Sequence, residues 1–329
     1  MANSGIATVL GRMAALPAQL LEPAMRWVQK TIGHKWMPWF FLTPNLIVIV
    51  LFALAPVFIN IFYSVTGTDN IWPSERNFLG LQNYQSILAC EDYSDPATCT
   101  RDLFWRALLN SAIFVPLQVI LMVSVALITA VALNKRIRAR GFFRGVFFFP
   151  VMLSPVVVAF TWQWILQRNG ALNGILTEIG LEPVNWLVFP DYAFTWVIFV
   201  TVWAHMGFFM IILLAGLQSI PVDVYEAAKL DRASPWRVFW KITVPLLRPV
   251  LLVVFVLAVL RSVQTFDEVY VLTGGGPGSA TLLMVQYIYE IGFAVKPSNY
   301  GLAAAASLML LIVLLIFTIL QLRATRKTH

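Results

Sequence analysis

Apolar residues in this chain gather into six runs of about 20 residues, the length that crosses the hydrocarbon of a bilayer as a helix. They fall at approximately residues 39–62, 108–133, 146–167, 193–217, 247–271 and 300–322. The pattern predicts an all-α membrane protein with six transmembrane helices, flanked by a tail over 1–38 and a short tail over 323–329. Between the fourth and fifth runs, Pro221 to Pro249 forms a polar island bearing Asp223, Glu226, Lys229, Asp231, Arg232, Arg237, Lys241 and Arg248. So many charges belong outside the hydrocarbon. Pro221 as first helical residue with Asp223 in the first turn, and Ser234 as N-cap before Pro235, predict two short helices meeting at a corner. In the second, Trp236, Phe239 and Trp240 fall at i, i+3 and i+4. They make an aromatic face beside Arg237 and Lys241, suited to a groove on a partner.

Composition agrees with this pattern. The 329 residues are 59% hydrophobic and only 12% charged, with a mean hydropathy of +0.78, far from a soluble domain. The net charge of +7 would suggest nucleic acid if it were spread evenly, but 17 of the 23 Lys and Arg lie in the two tails, the island and the loop 134–144. Six spans put both termini on one side, and the positive-inside rule makes that side cytoplasmic. No nucleic-acid partner is then needed to explain the basic balance. Lys135, Arg136, Arg138, Arg140 and Arg144 read first as topology signals and lipid-headgroup contacts, and second as partner contacts. The N-terminal stretch is broken by Arg12, Pro17, Glu22, Arg26 and Lys30, so it does not read as a cleaved signal peptide. Residues 6–28 read either as an amphipathic helix on the cytoplasmic surface or as an unstructured tail.

The segments on the other side of the membrane are polar. Cys90 and Cys99 lie in the first, 63–107, separated by an acidic octet containing a proline. In an oxidising compartment they are predicted to form a disulfide, two free thiols being the alternative. With three scattered histidines they make no metal site. Trp186, in the loop 168–191, is placed to anchor at the interface. Pro44, Pro56, Pro116, Pro150 and Pro155 suit kinked helices around a cavity that changes shape, or simply reflect the higher proline content of membrane helices.

Candidate substrate chemistry sits in the fourth and fifth runs. Arg261, Gln264, Thr265 and Glu268 fall at i, i+3, i+4 and i+7 and share one arc of about 100° on a helix, and an arginine within a span needs a partner, for which Glu268, Gln118 and Gln163 are candidates. The stripe reads either as donors and acceptors for sugar hydroxyls or as a polar seam against a second subunit. Thr201, Trp203, His205 and Phe208 lie at similar depth, and their mix of polar and aromatic groups is compatible with a carbohydrate cavity. The run TGGGPGSAT (Thr273 to Thr281) lacks the Lys-Ser/Thr ending of a phosphate loop and reads as a flexible external turn. Leu282 to Phe293 is too short to span and reads as an interfacial helix, and Ala303 to Ala306 permit close helix packing.

The run EAAKLDRASPWRVFWKITVPLLRP resembles the EAA loop of the membrane-spanning subunits of ABC importers. Glu226, Ala227, Ala228, Asp231, Ala233, Phe239, Ile242, Pro245 and Pro249 match, while Arg232 replaces the usual glycine and Val244 precedes the proline. FLGLQNY (Phe78 to Tyr84), GLQSIP (Gly216 to Pro221) and LTGGGP (Leu272 to Pro277) are similar to the carbohydrate-uptake permeases, and the resemblance runs from Trp39 to Leu322. It implies a type I ABC importer permease in a bacterial inner membrane. It also implies a second permease subunit, two ATPase subunits and an external solute-binding protein as partners, with lipid around the spans. The chain would hold no cofactor and have no catalytic residue of its own, ATP and Mg being bound by the ATPases. Glu226, Ala227, Ala228, Asp231, Arg232, Trp236, Phe239 and Trp240 would couple it to them, the tryptophans having lipid-interface packing as their other reading. In this family the cavity is lined by the helices before and after the EAA loop, which here carry Thr201, Trp203, His205, Phe208, Arg261, Gln264, Thr265 and Glu268. Carriage of a polyol, glycerophosphodiester, amino acid or phosphate is the alternative within this reading. An ion-coupled secondary transporter fits less well, because no inverted repeat or midplane carboxylate is evident. A membrane scaffold would leave the EAA stretch unexplained.

Overall fold

The computed structural model describes residues 29–31, 33–67, 70–135 and 137–326. Residues 6–28, read above as a helix or a tail, lie outside them. The chain divides into two units, Met1–Phe62 and Tyr63–His329. The first contributes most of helix α1 (Met37–Ser64), which has a π turn at Val50–Leu54.

The second unit opens with a two-residue ribbon, β1 (Thr66–Gly67) against β2 (Asn77–Phe78), pairing Thr66 with Phe78. The FLGLQNY stretch leaves β2 through Gly80 at φ 58° and enters α2 (Gln82–Leu88). There the buried Asn83 donates to the carbonyls of Ser64 (2.9 Å) and Thr66 (3.2 Å), which fixes the ribbon. Cys90 and Cys99 are joined by a disulfide.

The helices that follow are α3 (Asp102–Asn134), α4 (Arg140–Phe148), α5 (Pro155–Leu166), α6 (Ala171–Glu178), α7 (Pro190–Gln218) and α8 (Val222–Leu230). Then come α9 (Pro235–Val263), α10 (Asp267–Leu272), α11 (Met284–Tyr289) and α12 (Tyr300–Arg326). Proline opens α5, α7 and α9, where its missing N–H costs nothing. Helix α7 is the axis of the unit: 67% of its most apolar stretch is buried, against 28% for α3 and for α9. Phe114 and Met122 of α3, Met210 and Leu213 of α7, and Leu247, Val254 and Ala258 of α9 form the main core. Gly216 permits the close approach of α7 to α9, since a Cβ there would lie 2.8 Å from Leu247. A smaller core joins Ile87, Phe104, Met284, Tyr287, Leu302, Ala305 and Ala306.

Several spans are not the straight rods that hydropathy predicts. The third is broken: α4 and a 3-10 turn at Phe149–Met152 meet the segment from Pro155 at about 100°. Pro150 and Pro155 bracket the break, and Pro155, with no N–H to continue the helix before it, starts the new one. The fifth ends at Val263, and residues 264–266 separate it from α10, so Arg261, Gln264, Thr265 and Glu268 do not form one helical stripe. The Gly-rich turn is not loose. Thr281 donates its amide to Gly275 O (3.1 Å) and its hydroxyl to Gly276 O (2.8 Å), while Gly274, Gly275 and Gly278 supply positive φ. Nor is the Leu282–Phe293 segment only interfacial, because Leu282, Leu283, Met284, Gln286 and Tyr287 are buried. Trp186 is half-buried and donates to Asn173 Oδ1 (3.1 Å).

Candidate functional site

Two features draw on the residues singled out in the sequence: a projecting corner, and a cleft beside α7 and α9. At the corner, Pro221 is the N-cap of α8 rather than its first residue, with Asp223 in the first turn and Lys229 in the last, both favourable to the helix dipole. The helix ends in a Schellman motif: Ala233 N–H donates to Ala228 O and Arg232 N–H to Lys229 O, both at 3.0 Å. Between them Arg232 takes the left-handed conformation, φ 51°, that glycine adopts without penalty. The arginine thus keeps the geometry of the corner at a local cost.

Ser234 then caps the next helix, its Oγ accepting from Arg237 N–H at 3.3 Å. That helix is not a separate short element. A π turn over Phe239–Thr243 carries it directly into the fifth span, making α9 a single helix of 29 residues. Tyr225 Oη, 3.3 Å from Thr243 Oγ1, ties α8 to it. Trp236, Phe239 and Trp240 pack on one another, with ring centroids 5.6 Å apart for Trp236–Trp240 and 5.0 Å for Phe239–Trp240. Glu226, Ala227, Asp231 and Arg232 are exposed, and Ala228 is buried beneath them. Leu230 is 86% exposed and Trp236 71%, a large apolar area on a charged rim.

The cleft has a volume of about 430 Å³ and is lined by Val151, His205, Phe208, Phe209, Leu257, Leu260, Arg261 and Gln264. Its polar centre is a chain of hydrogen bonds. Thr201 O accepts from His205 Nδ1 (2.9 Å), which leaves Nε2 unprotonated to accept from Arg261 Nη2 at 2.5 Å. The same Nη2 lies 3.0 Å from Oε1 of Glu268, whose side chain is 2% exposed. The carboxylate offsets the guanidinium, and the neutral imidazole holds it against α7. Phe208 and Phe209 supply apolar surface beside these donors.

Four of the eight residues expected here line the cleft: His205, Phe208, Arg261 and Gln264. Glu268 supports it from behind. Thr201 and Thr265 are buried, their hydroxyls returned to backbone carbonyls within their own segments. Trp203 lies elsewhere, about 200° from Thr201 around the helix at 100° per residue. It packs against Trp162 (5.5 Å) and lines a separate apolar groove with Leu121 and Met206. Gln118 is fully buried and is not the partner of Arg261. Sequence reasoning missed Val151, Phe209, Leu257 and Leu260. The signal for the last two was present, since Leu257, Leu260, Arg261 and Gln264 fall at i, i+3, i+4 and i+7 on the part of α9 that is helical up to its cap.

Comparison with known proteins places this architecture. The trehalose/maltose transport system permease protein MalF of Thermococcus litoralis is 36% identical over 288 residues, covering 86% of this chain and 91% of that protein. The lactose transport system permease protein LacF of Rhizobium radiobacter is 34% identical over 295 residues, covering 88% and 94%. In fold the chain is similar to a crystal structure of a bacterial ABC transporter involved in the import of the acidic polysaccharide alginate. That match has a TM-score of 0.76 and 23% identity, over 91% of this chain and 98% of the other. The family of binding-protein-dependent transport system inner membrane components matches residues 101–329, and with these relatives it shows that the chain belongs to that family.

Proposed function

We propose that this chain forms half of the translocation pathway of an ATP-driven sugar importer. A second permease subunit would form the other half, two ATPase subunits would drive it, and an external solute-binding protein would deliver the substrate. The observation that carries the reading is the Arg261–His205–Glu268 cluster beside Phe208 and Phe209. Guanidinium and imidazole edges are donors and acceptors for hydroxyls, and aromatic faces suit the CH faces of a pyranose. Neutralisation of Arg261 by a buried carboxylate leaves the cleft without net charge, which favours a neutral carbohydrate over an anionic solute. Sugar transport by the relatives named above supports the same assignment.

In this reading both termini face the cytoplasm, which the distribution of Lys and Arg supports. The corner of α8 and α9 then projects toward the ATPases, with Glu226, Leu230 and Trp236 as its contact residues. ATP and Mg bind in those partners, and this chain contributes movement instead of chemistry. When the ATPases close, the corner moves with them, α9 tilts, and the cleft passes from one side of the membrane to the other.

The test is affinity purification of the tagged chain from its native membrane in mild detergent, with mass spectrometry of the proteins recovered. The expected result is an ATPase and a second permease in the complex, with ATP-dependent uptake of a neutral sugar after reconstitution with the binding protein. A chain that purifies alone and transports in liposomes without ATP would overturn the assignment.

A further inference from the structure

The loop after α3 and the start of α4 form a basic patch that the transport reading does not use. From Asn134 to Ser154 the sequence contains Lys135, Arg136, Arg138, Arg140 and Arg144 and no acidic residue. Among the described residues, none of Lys135, Arg138, Arg140 and Arg144 forms an ion pair. Arg138 and Arg140, with Ile137 and Gly141, line an open recess of about 650 Å³. Arg144 follows one turn later on the same side of α4 as Arg140. Its Nε and Nη2 are shielded from solvent and donate to nothing among the described residues. A shielded guanidinium without an acceptor is costly, so the acceptor is expected from outside the chain.

The opposite side of α4 is apolar. Phe142 and Val146 are 68% and 48% exposed, and Phe149 beyond them is 57% exposed. Helix α4 meets the segment after the break at about 100°, and its far end packs on α7 at Gly207, so its basic start and its exposed phenylalanines lie on one short element at the entry to the third span. We propose that Arg138, Arg140 and Arg144 bind the phosphate of an anionic phospholipid. The phenylalanines rest on its acyl chains, so that the lipid pins α4 and the break behind it. Guanidinium forks match phosphate oxygens, and the exposed phenylalanine surface on the other side of the same helix favours a lipid over free phosphate.

The test uses the full chain in detergent, delipidated and titrated with phosphatidylglycerol or phosphatidylcholine, with bound lipid counted by native mass spectrometry. The expected result is retention of phosphatidylglycerol in preference to phosphatidylcholine. Retention should weaken on the order of tenfold in Arg138→Gln/Arg140→Gln and be largely restored in Arg138→Lys/Arg140→Lys. Far-UV circular dichroism of each variant checks that the helices are intact. Equal retention of the two lipids, or equal retention by wild type and the Gln variant, would overturn the proposal. So would displacement by millimolar inorganic phosphate, which would make the site one for the free anion. Loss of bound lipid when purified ATPase is added would also overturn it, by assigning the arginines to a protein surface.

Discussion

Arg261 Nη2 lies 3.0 Å from Oε1 of Glu268, although a non-helical break over residues 264–266 separates the helices that carry them. The pair therefore bridges the gap between α9 and α10 and holds it closed. Glu268→Leu leaves the guanidinium without its counter-ion and is expected to cost on the order of 2 kcal/mol. The double variant Arg261→Met/Glu268→Leu should recover much of that loss. Thermal unfolding of the purified single and double variants measures the coupling, and additive losses would show that the two residues are independent.

At the corner, Arg232 occupies a left-handed position that costs a non-glycine residue roughly 1 kcal/mol. Arg232→Gly should raise the unfolding temperature slightly and leave uptake intact. Arg232→Val, β-branched at the same φ, should lower it. A Gly variant less stable than wild type would mean that the arginine side chain makes a compensating contact.

Glu226→Lys reverses the charge on the exposed face of α8 without touching a buried group. The expected outcome is loss of uptake and of co-purifying ATPase, with a normal amount of protein in the membrane by immunoblot. Normal uptake would remove Glu226 from the coupling surface.

Two glycines make a controlled pair. A Cβ at Gly207 would lie 2.1 Å from Phe147 O, so α7 and α4 meet backbone to backbone there. Gly207→Ala is expected to destabilise by more than about 2 kcal/mol. At Gly174, in α6, an added methyl would meet nothing within 4 Å, and Gly174→Ala should stabilise by up to about 1 kcal/mol through helix propensity alone. Unfolding temperatures that move in opposite directions would support the packing; equal shifts would contradict it.

The sequence made the spans legible because hydropathy averages over about 20 residues. The same averaging hides what happens within a span. Residues 264–266 and the turn at Phe149–Met152 are each too short to change the mean, although Pro150 and Pro155 mark the second break. Ser234 and Pro235 announced the start of α9, because capping is local chemistry. Its continuity into the fifth span was hidden by the charges of Arg237 and Lys241, which made the start of a long helix look like a separate one. Trp203 was grouped by depth with His205, where the 100° step per residue puts them on different faces. The contact of His205 with Arg261 joins residues 56 apart in sequence, and no periodicity within one helix reports on it.

Helix α9 begins at the exposed corner beside Trp236 and reaches the wall of the cleft at Leu257, Leu260 and Arg261. At 1.5 Å per residue its 29 residues make a lever arm roughly 43 Å long. Rotation of that arm by about 10° sweeps its far end through roughly 7 Å, more than one helical turn. A partner pushing on the tryptophan end would therefore act on the cleft through one continuous helix, across the π turn at Phe239–Thr243 and Pro249 within it.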